Sequence, residues 1–137
     1  MAFTGNYTCN SFKQQLFEGD FDFSSGTTQT FKIALYTNDA TLDQTTTAYT
    51  ATGEVVATGY TAGGEAITPS LAIDNSTGVA YIDFSNASWS GAFTARGALI
   101  YRVTTGNPAI CILDFGADKT STTTFQVEFP PNTSTTA

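Results

Sequence analysis

The chain has 137 residues, with twelve acidic side chains against five basic ones, a net charge of −7 and no histidine. Histidine is the one side chain that titrates near neutrality unperturbed, so its absence removes the commonest general acid–base group and the commonest metal ligand. The acidic balance argues against a nucleic-acid binder, which needs a cationic face to neutralise phosphates, and against attraction to an anionic membrane surface. About a fifth of the residues are threonine, and Phe, Tyr, Val and Ile supply much of the remainder, the types that fit a pleated, half-buried surface.

A length of 137 residues predicts one domain able to bury a core without staples. No apolar run reaches the roughly 20 residues of a membrane span, and the first six residues have neither a basic nor an apolar region of the kind that begins a secretory signal.

The elements are expected in this order. A short helix over residues 11–18 follows from Phe12 and Leu16 at helical spacing, a capping box from Ser11 to Gln14, and Gly19 as a stop; Phe12, Leu16 and Phe17 are its expected buried face. After Gly19 the apolar period becomes two. Phe31, Ile33 and Leu35 then mark a strand over 29–37. Residues 38–52 are polar and Thr-rich and read as a long excursion anchored by Leu42 and Tyr49, with a short strand at 54–58 and glycine punctuation at Gly59, Gly63 and Gly64. A strand over 66–73 contains Pro69, which lacks an N–H and places it at an edge or a bulge. Residues 74–78 are a turn, and 79–84 its hairpin partner.

Trp89, among small residues, is expected to plug the core. The longest strand spans 93–103, with Ala95, Gly97, Leu99 and Tyr101 on one face. Residues 109–115 are apolar on both faces and belong inside a sheet, 116–122 are a loop, and 123–129 are the closing strand with Phe125, Val127 and Phe129 inward. Seven or so short strands separated by turn signals predict an all-β, antiparallel β-sandwich of jelly-roll or immunoglobulin-like type with one short N-terminal helix, and an extended tail over 130–137.

Chemistry-bearing constellations are sparse. Asp39 and Asp43 read as a solvated acidic loop, lacking the alternating ligands and glycine of a calcium loop. Residues 59–64 have glycines but no lysine and no following helix, so they make no phosphate cradle. Arg96 is expected to pair with Asp83 or Asp114. Cys111, in an apolar run, reads as a buried free thiol, with a disulfide to Cys9 as the alternative. Tyr36, Tyr49, Tyr60 and Tyr101 are either core aromatics or a surface platform for stacking sugars. The expected catalytic, cofactor and metal residues are therefore none.

One ordered series runs Asn10-Ser-Phe-Lys13, Lys32-Ile-Ala-Leu-Tyr-Thr37, Ala40-Thr-Leu-Asp43, Thr47-Ala-Tyr49, Gly59-Tyr-Thr-Ala-Gly-Gly64, Ala95-Arg-Gly-Ala-Leu-Ile-Tyr101 and Leu113-Asp-Phe-Gly116 with Asp118-Lys119. Over roughly residues 9–130 it resembles a family of small structural proteins encoded by tailed bacteriophages. That resemblance implies a virion component with no catalytic residues, assembled in the cytoplasm of a bacterial host. A head decoration (cement) protein fits best, bound outside the shell to the major capsid protein or another virion protein, as a small homo-oligomer such as a trimer. The alternatives are a tail component (adaptor, tail-tip or fibre module) and a surface carbohydrate-binding module. Irregular segments are freer than strands to specialise, so the candidate interface residues are Leu42, Tyr49, Tyr60, Gly63 and Gly64.

Overall fold

The computed structural model describes residues 3–131. Nine strands and one helix appear in the order β1 (Tyr7–Thr8), α1 (Asn10–Glu18), β2 (Thr30–Tyr36), β3 (Glu65–Ile67), β4 (Pro69–Asp74), β5 (Val79–Phe84), β6 (Ala87–Ser90), β7 (Thr94–Val103), β8 (Ala109–Thr120) and β9 (Thr124–Val127). Every strand pair is antiparallel. A five-stranded sheet has the order β1-β8-β7-β2-β3, and two ribbons, β4–β5 and β6–β9, accompany it. The fold is all-β and sandwich-like, as the alternation predicts.

Register assigns the faces of the large sheet. Phe31, Ile33 and Leu35 of β2 lie opposite Arg102, Ile100 and Ala98 of β7, while Ala34 and Tyr36 lie opposite Leu99 and Gly97. Paired residues share a face, and successive residues alternate. Both faces are buried along the middle of β2 and β7, so each needs a cover. On the Phe31 face the cover is aromatic: Phe23 stacks on Phe31 at 5.0 Å, and Phe84 of the β4–β5 ribbon meets both rings at 6.1 Å. On the Tyr36 face the cover is the excursion between β2 and β3. Tyr49 stacks on Tyr101 at 4.9 Å, and Tyr36 Oη donates to the Thr50 carbonyl at 2.6 Å.

Local chemistry accounts for several departures from expectation. The strand expected over 66–73 is split at Thr68 into β3 and β4, which belong to different sheets. Pro69 opens β4, where its missing N–H breaks no ladder. No strand spans 54–58; Glu54 makes one isolated bridge to Tyr36. Of the loop expected over 116–122, residues 116–120 are instead the far end of β8. Ala95 pairs with Lys119 and Gly97 with Asp114, so residues 115–118 bulge out opposite Arg96. Gly116, at φ +80, makes that bulge feasible. Trp89 sits on a short strand, β6, and plugs the core as expected.

Helix α1 ends as its sequence predicts. Gly19 at φ +85 closes a Schellman turn, with Asp20 N–H donating to Gln15 O at 3.0 Å and Gly19 N–H to Leu16 O at 3.3 Å. Its start differs: Cys9 occupies the N-cap and no side chain caps the helix. Of the three expected apolar contacts only Phe12 is buried, edge-on to Phe21 at 4.8 Å; Leu16 is exposed and Phe17 is 93 % exposed. The described part of the 130–137 tail, Pro130 and Pro131, has no regular structure, and 132–137 lie outside the described residues.

Candidate functional site

The five residues singled out as an interface are drawn together, but inward. Leu42 is 3 % exposed, Gly63 and Gly64 are buried, and Tyr49 and Tyr60 are half-buried against the core. Three of them, Tyr49, Tyr60 and Gly63, are gathered by Glu54, a carboxylate on a residue only 6 % exposed. Its Oε2 accepts from Tyr49 Oη at 2.6 Å. Its Oε1 accepts from Tyr60 Oη at 2.7 Å and from Gly63 N–H at 2.7 Å. Burying a charge without such partners costs several kcal/mol, and charge-assisted hydrogen bonds are the ones strong enough to offset that.

The network reaches the sheet at two points. Tyr60 Oη accepts the Leu35 N–H at 2.8 Å, and Tyr101 Oη donates to the Gly63 carbonyl at 2.8 Å. Burial, and then the neighbouring carboxylate, push the phenols of Tyr36, Tyr49, Tyr60 and Tyr101 up from the ordinary tyrosine value. These phenols are donors locked in place. The surface platform for sugars is therefore corrected: Tyr36 and Tyr101 are buried, and the faces of Tyr49 and Tyr60 are taken by Tyr101 and by Trp89 at 6.0 Å.

The glycines serve the same packing. A Cβ on Gly64 would stand 1.8 Å from the Ile33 carbonyl oxygen, and one on Gly59 2.1 Å from that of Ser90. The glycine-rich segment is thus where two chain segments touch backbone to backbone. Leu42, buried, and Tyr49, half-buried against Tyr101, pin the excursion to its own sheet. Sequence reasoning missed Glu54, which carries no local motif; its only signal was a lone acid in an apolar stretch beside Val55 and Val56.

The remaining polar constellations are structural. Arg96 forms an ion pair with Asp114, one of its two expected partners. The Asp114 carboxyl is held below its ordinary value, first by the Gly116 N–H and then by Arg96. Asp43 accepts from Thr45 N–H at 2.8 Å and its hydroxyl at 2.6 Å, bonds that lower its pKa and close a turn. Cys9 and Cys111 are both free thiols, but it is Cys9 that is buried; Cys111, expected to be buried, is half-buried at the edge of a groove. Among the described residues no group of three or more His, Cys, Asp or Glu side chains is placed to hold a metal, and no helix is long and apolar enough to cross a membrane.

What the surface does offer is apolar. In the β4–β5 ribbon, Leu71 lies opposite Ile82, Ile73 opposite Ala80 and Pro69 opposite Phe84, so one face carries six apolar residues. Its base, Pro69 and Phe84, packs on the core, while at its outer end Leu71 is 51 % and Ile73 59 % exposed. Beside it an open groove of about 390 Å³ runs between Ile82 and Phe84 on one side and Tyr7, Cys111 and Leu113 on the other. A second cleft of about 470 Å³ separates the outer end of β8 from β9, over Phe115 and Phe125. No family model, curated protein or solved structure matches the chain.

Proposed function

We propose that this chain is a non-enzymatic structural protein of a tailed-bacteriophage particle, a decoration (cement) protein on the outer surface of the head, with the major capsid protein as its partner. The observation that carries the reading is the division of labour among side chains. Among the described residues the one buried carboxylate is consumed in holding the fold, and the surface offers an apolar β-ribbon face. A histidine-free, acidic, all-β body with an apolar contact face suits a part that binds an assembled lattice and does no chemistry. Copies gathered about the lattice's symmetry axes, as small rings, would add up weak contacts through multivalency.

Quantitative mass spectrometry of purified particles tests this. Hundreds of copies per particle are expected for a head protein. Tens or fewer would place it in the tail, and absence from particles would end the virion reading. The Leu71→Ser/Ile73→Ser double variant is expected to fold normally and to be depleted from particles.

A further inference from the structure

From the unpaired edge of β9 and the charges beside it, we infer that two copies of this chain join edge to edge, β9 against β9, about a two-fold axis at Gln126. Such a contact goes beyond the virion reading and does not depend on it.

Hydrogen-bond direction fixes which backbone groups of β9 are left over. The Gly91 N–H donates to Thr123 O at 2.9 Å, and the Phe129 N–H to Asn86 Oδ1 at 2.8 Å, both on the β6 side. In an antiparallel ladder alternate residues bond to the same neighbour. Residues 123, 125, 127 and 129 therefore face β6, and Thr124, Gln126 and Glu128 turn their N–H and C=O groups away from it. Among the described residues β9 pairs with no strand but β6. Other edges carry stops. On β5, Ser85 N–H bonds to Thr68 O on the β4 side, and the outward Phe84 N–H is taken by Asp83 Oδ1 at 2.9 Å. Where β8 outruns β1, the Asp114 N–H is taken by Asn6 Oδ1 at 2.7 Å, and on β4 Pro69 has no N–H to offer. Proteins stop free edges in such ways because an open one templates a further strand. Among the described residues the outer edge of β9 has no such stop, and it borders the cleft over Phe115 and Phe125.

This edge is complementary to itself. Antiparallel pairing about an axis at Gln126 sets Gln126 opposite Gln126, and Thr124 of each copy opposite Glu128 of the other. All the outward residues then join the ladder, with about six new hydrogen bonds, and a slip of two residues loses one of the pairs. The glutamine amide, both donor and acceptor, can bond its own copy across the axis. Lys119 and Glu128 are the charged side chains that line the cleft, Lys119 near the 121–123 connection and Glu128 at the far end of β9. Among the described residues neither has an ion-pair partner. The two-fold reverses the second strand, so each copy's Glu128 arrives at the Thr124 end of the other, where Lys119 stands. Opposite charges therefore meet twice, and the isologous contact closes as a dimer. The net charge of −7 on each copy works against association and keeps the dimer weak.

Cysteine cross-linking of the purified full chain reads the register. Opposed residues of the ladder lie about 5.5 Å apart at Cα, within disulfide reach, whereas the two Thr124 residues would stand about 13 Å apart. Under mild oxidation at about 0.5 mM protein, Gln126→Cys is expected to form a linked dimer about fivefold faster or more than Thr124→Cys. Mass spectrometry of the linked peptides separates this bond from any made by Cys9 or Cys111, and thermal melts check that both variants fold. At the same concentration the unmodified chain should sediment in part as a dimer. Glu128→Lys should abolish that dimer by setting Lys against Lys119, and Lys119→Glu/Glu128→Lys should restore it. A chain that stays monomeric, equal linking at positions 124 and 126, a dimer unchanged by Glu128→Lys, or no recovery in the double variant would each overturn the inference. None of these results touches the copy number in particles, so the virion reading stands or falls separately.

Discussion

Tyr49 donates its phenolic proton to Glu54 across 2.6 Å, and through this contact the excursion between β2 and β3 is fastened over the Tyr36 face of the sheet. Tyr60 and the Gly63 N–H complete the fastening from the other carboxylate oxygen. The excursion has no regular strand, yet it is as much a layer of the fold as the ribbons are.

Removing the carboxylate is therefore expected to cost far more than a surface acid would. Glu54→Ala should lower unfolding free energy by about 3 kcal/mol, and Tyr49→Phe, which removes one charge-assisted bond, by about 1.5–3 kcal/mol. Urea denaturation measures both. A loss under about 0.5 kcal/mol for Glu54→Ala would mean that the excursion is held by its apolar contacts alone.

The buried phenols make stability fall in alkali. Tyr36, Tyr49, Tyr60 and Tyr101 have folded-state values above the ordinary 10 of the unfolded chain. Below pH 10 their protons are bound in both states and stability is unaffected by them. Above it the unfolded chain releases protons that the fold retains, and stability declines as pH rises. Thermal melts from pH 8 to 12 should show the decline setting in near pH 10. Tyrosinate absorbance from these four residues should appear together with unfolding rather than before it.

Two glycines should behave unlike a third. Gly64→Ala and Gly59→Ala force a Cβ into a carbonyl oxygen, at φ +80 and +90, and are expected to destabilise by about 3 kcal/mol or more. Gly78 has φ +71 but nothing within 4 Å, so Gly78→Ala carries only the left-handed penalty of about 1–2 kcal/mol. Equal effects at all three would show that backbone strain, not close approach, sets the requirement.

The Cys9 thiol should be silent until the fold opens, whereas Cys111 is half-buried on the wall of the groove. Burial pushes Cys9 up to about 11 and Cys111 to about 12, so neither forms appreciable thiolate at pH 8. An aromatic disulfide reagent should label Cys9 at the rate of unfolding, and both thiols at once in urea. Fast labelling of Cys9 in the native protein would contradict its burial.

Core truncations should separate two strands that read alike in sequence. Phe125 is buried between Trp89 and Phe93, so Phe125→Ala is expected to cost about 3–5 kcal/mol. Leu113 faces the open groove and is only half-buried, so Leu113→Ala should cost clearly less, about 1–2 kcal/mol. Denaturant melts of the two variants decide the order.

The strands were legible because their cause is local. The alternation in Phe31, Ile33 and Leu35, the turn composition of 74–78 and the stop at Gly19 each act within a few residues, and β2, β5 and α1 lie within a residue or so of the boundaries read from them. What escaped was decided at a distance. The two-residue β1 exists because Tyr7 and Thr8 meet β8. The inward turn of Tyr49 and Tyr60 is fixed by Glu54, which no spacing rule connects to them. Phe17 was assigned to a buried face by its type, but α1 buries only the stripe containing Phe12, and Phe17 lies off it.

The pairing of Tyr7 with Ile112 and of Thr8 with Cys111 has a consequence in time. The first strand of the chain has no partner until β8 has left the ribosome, more than a hundred residues later. The Asn10 N–H likewise waits for the carbonyl of Gln44, and Thr94 for Thr120. Joining such remote segments loses loop entropy before any contact is made, which slows folding relative to a helical protein of this size. The nascent segment waits unpaired while it already carries Phe3, Phe12, Phe17, Phe21, Phe23 and Phe31, more than half of the phenylalanines, so early collapse of these rings must bridge the interval before β8 arrives.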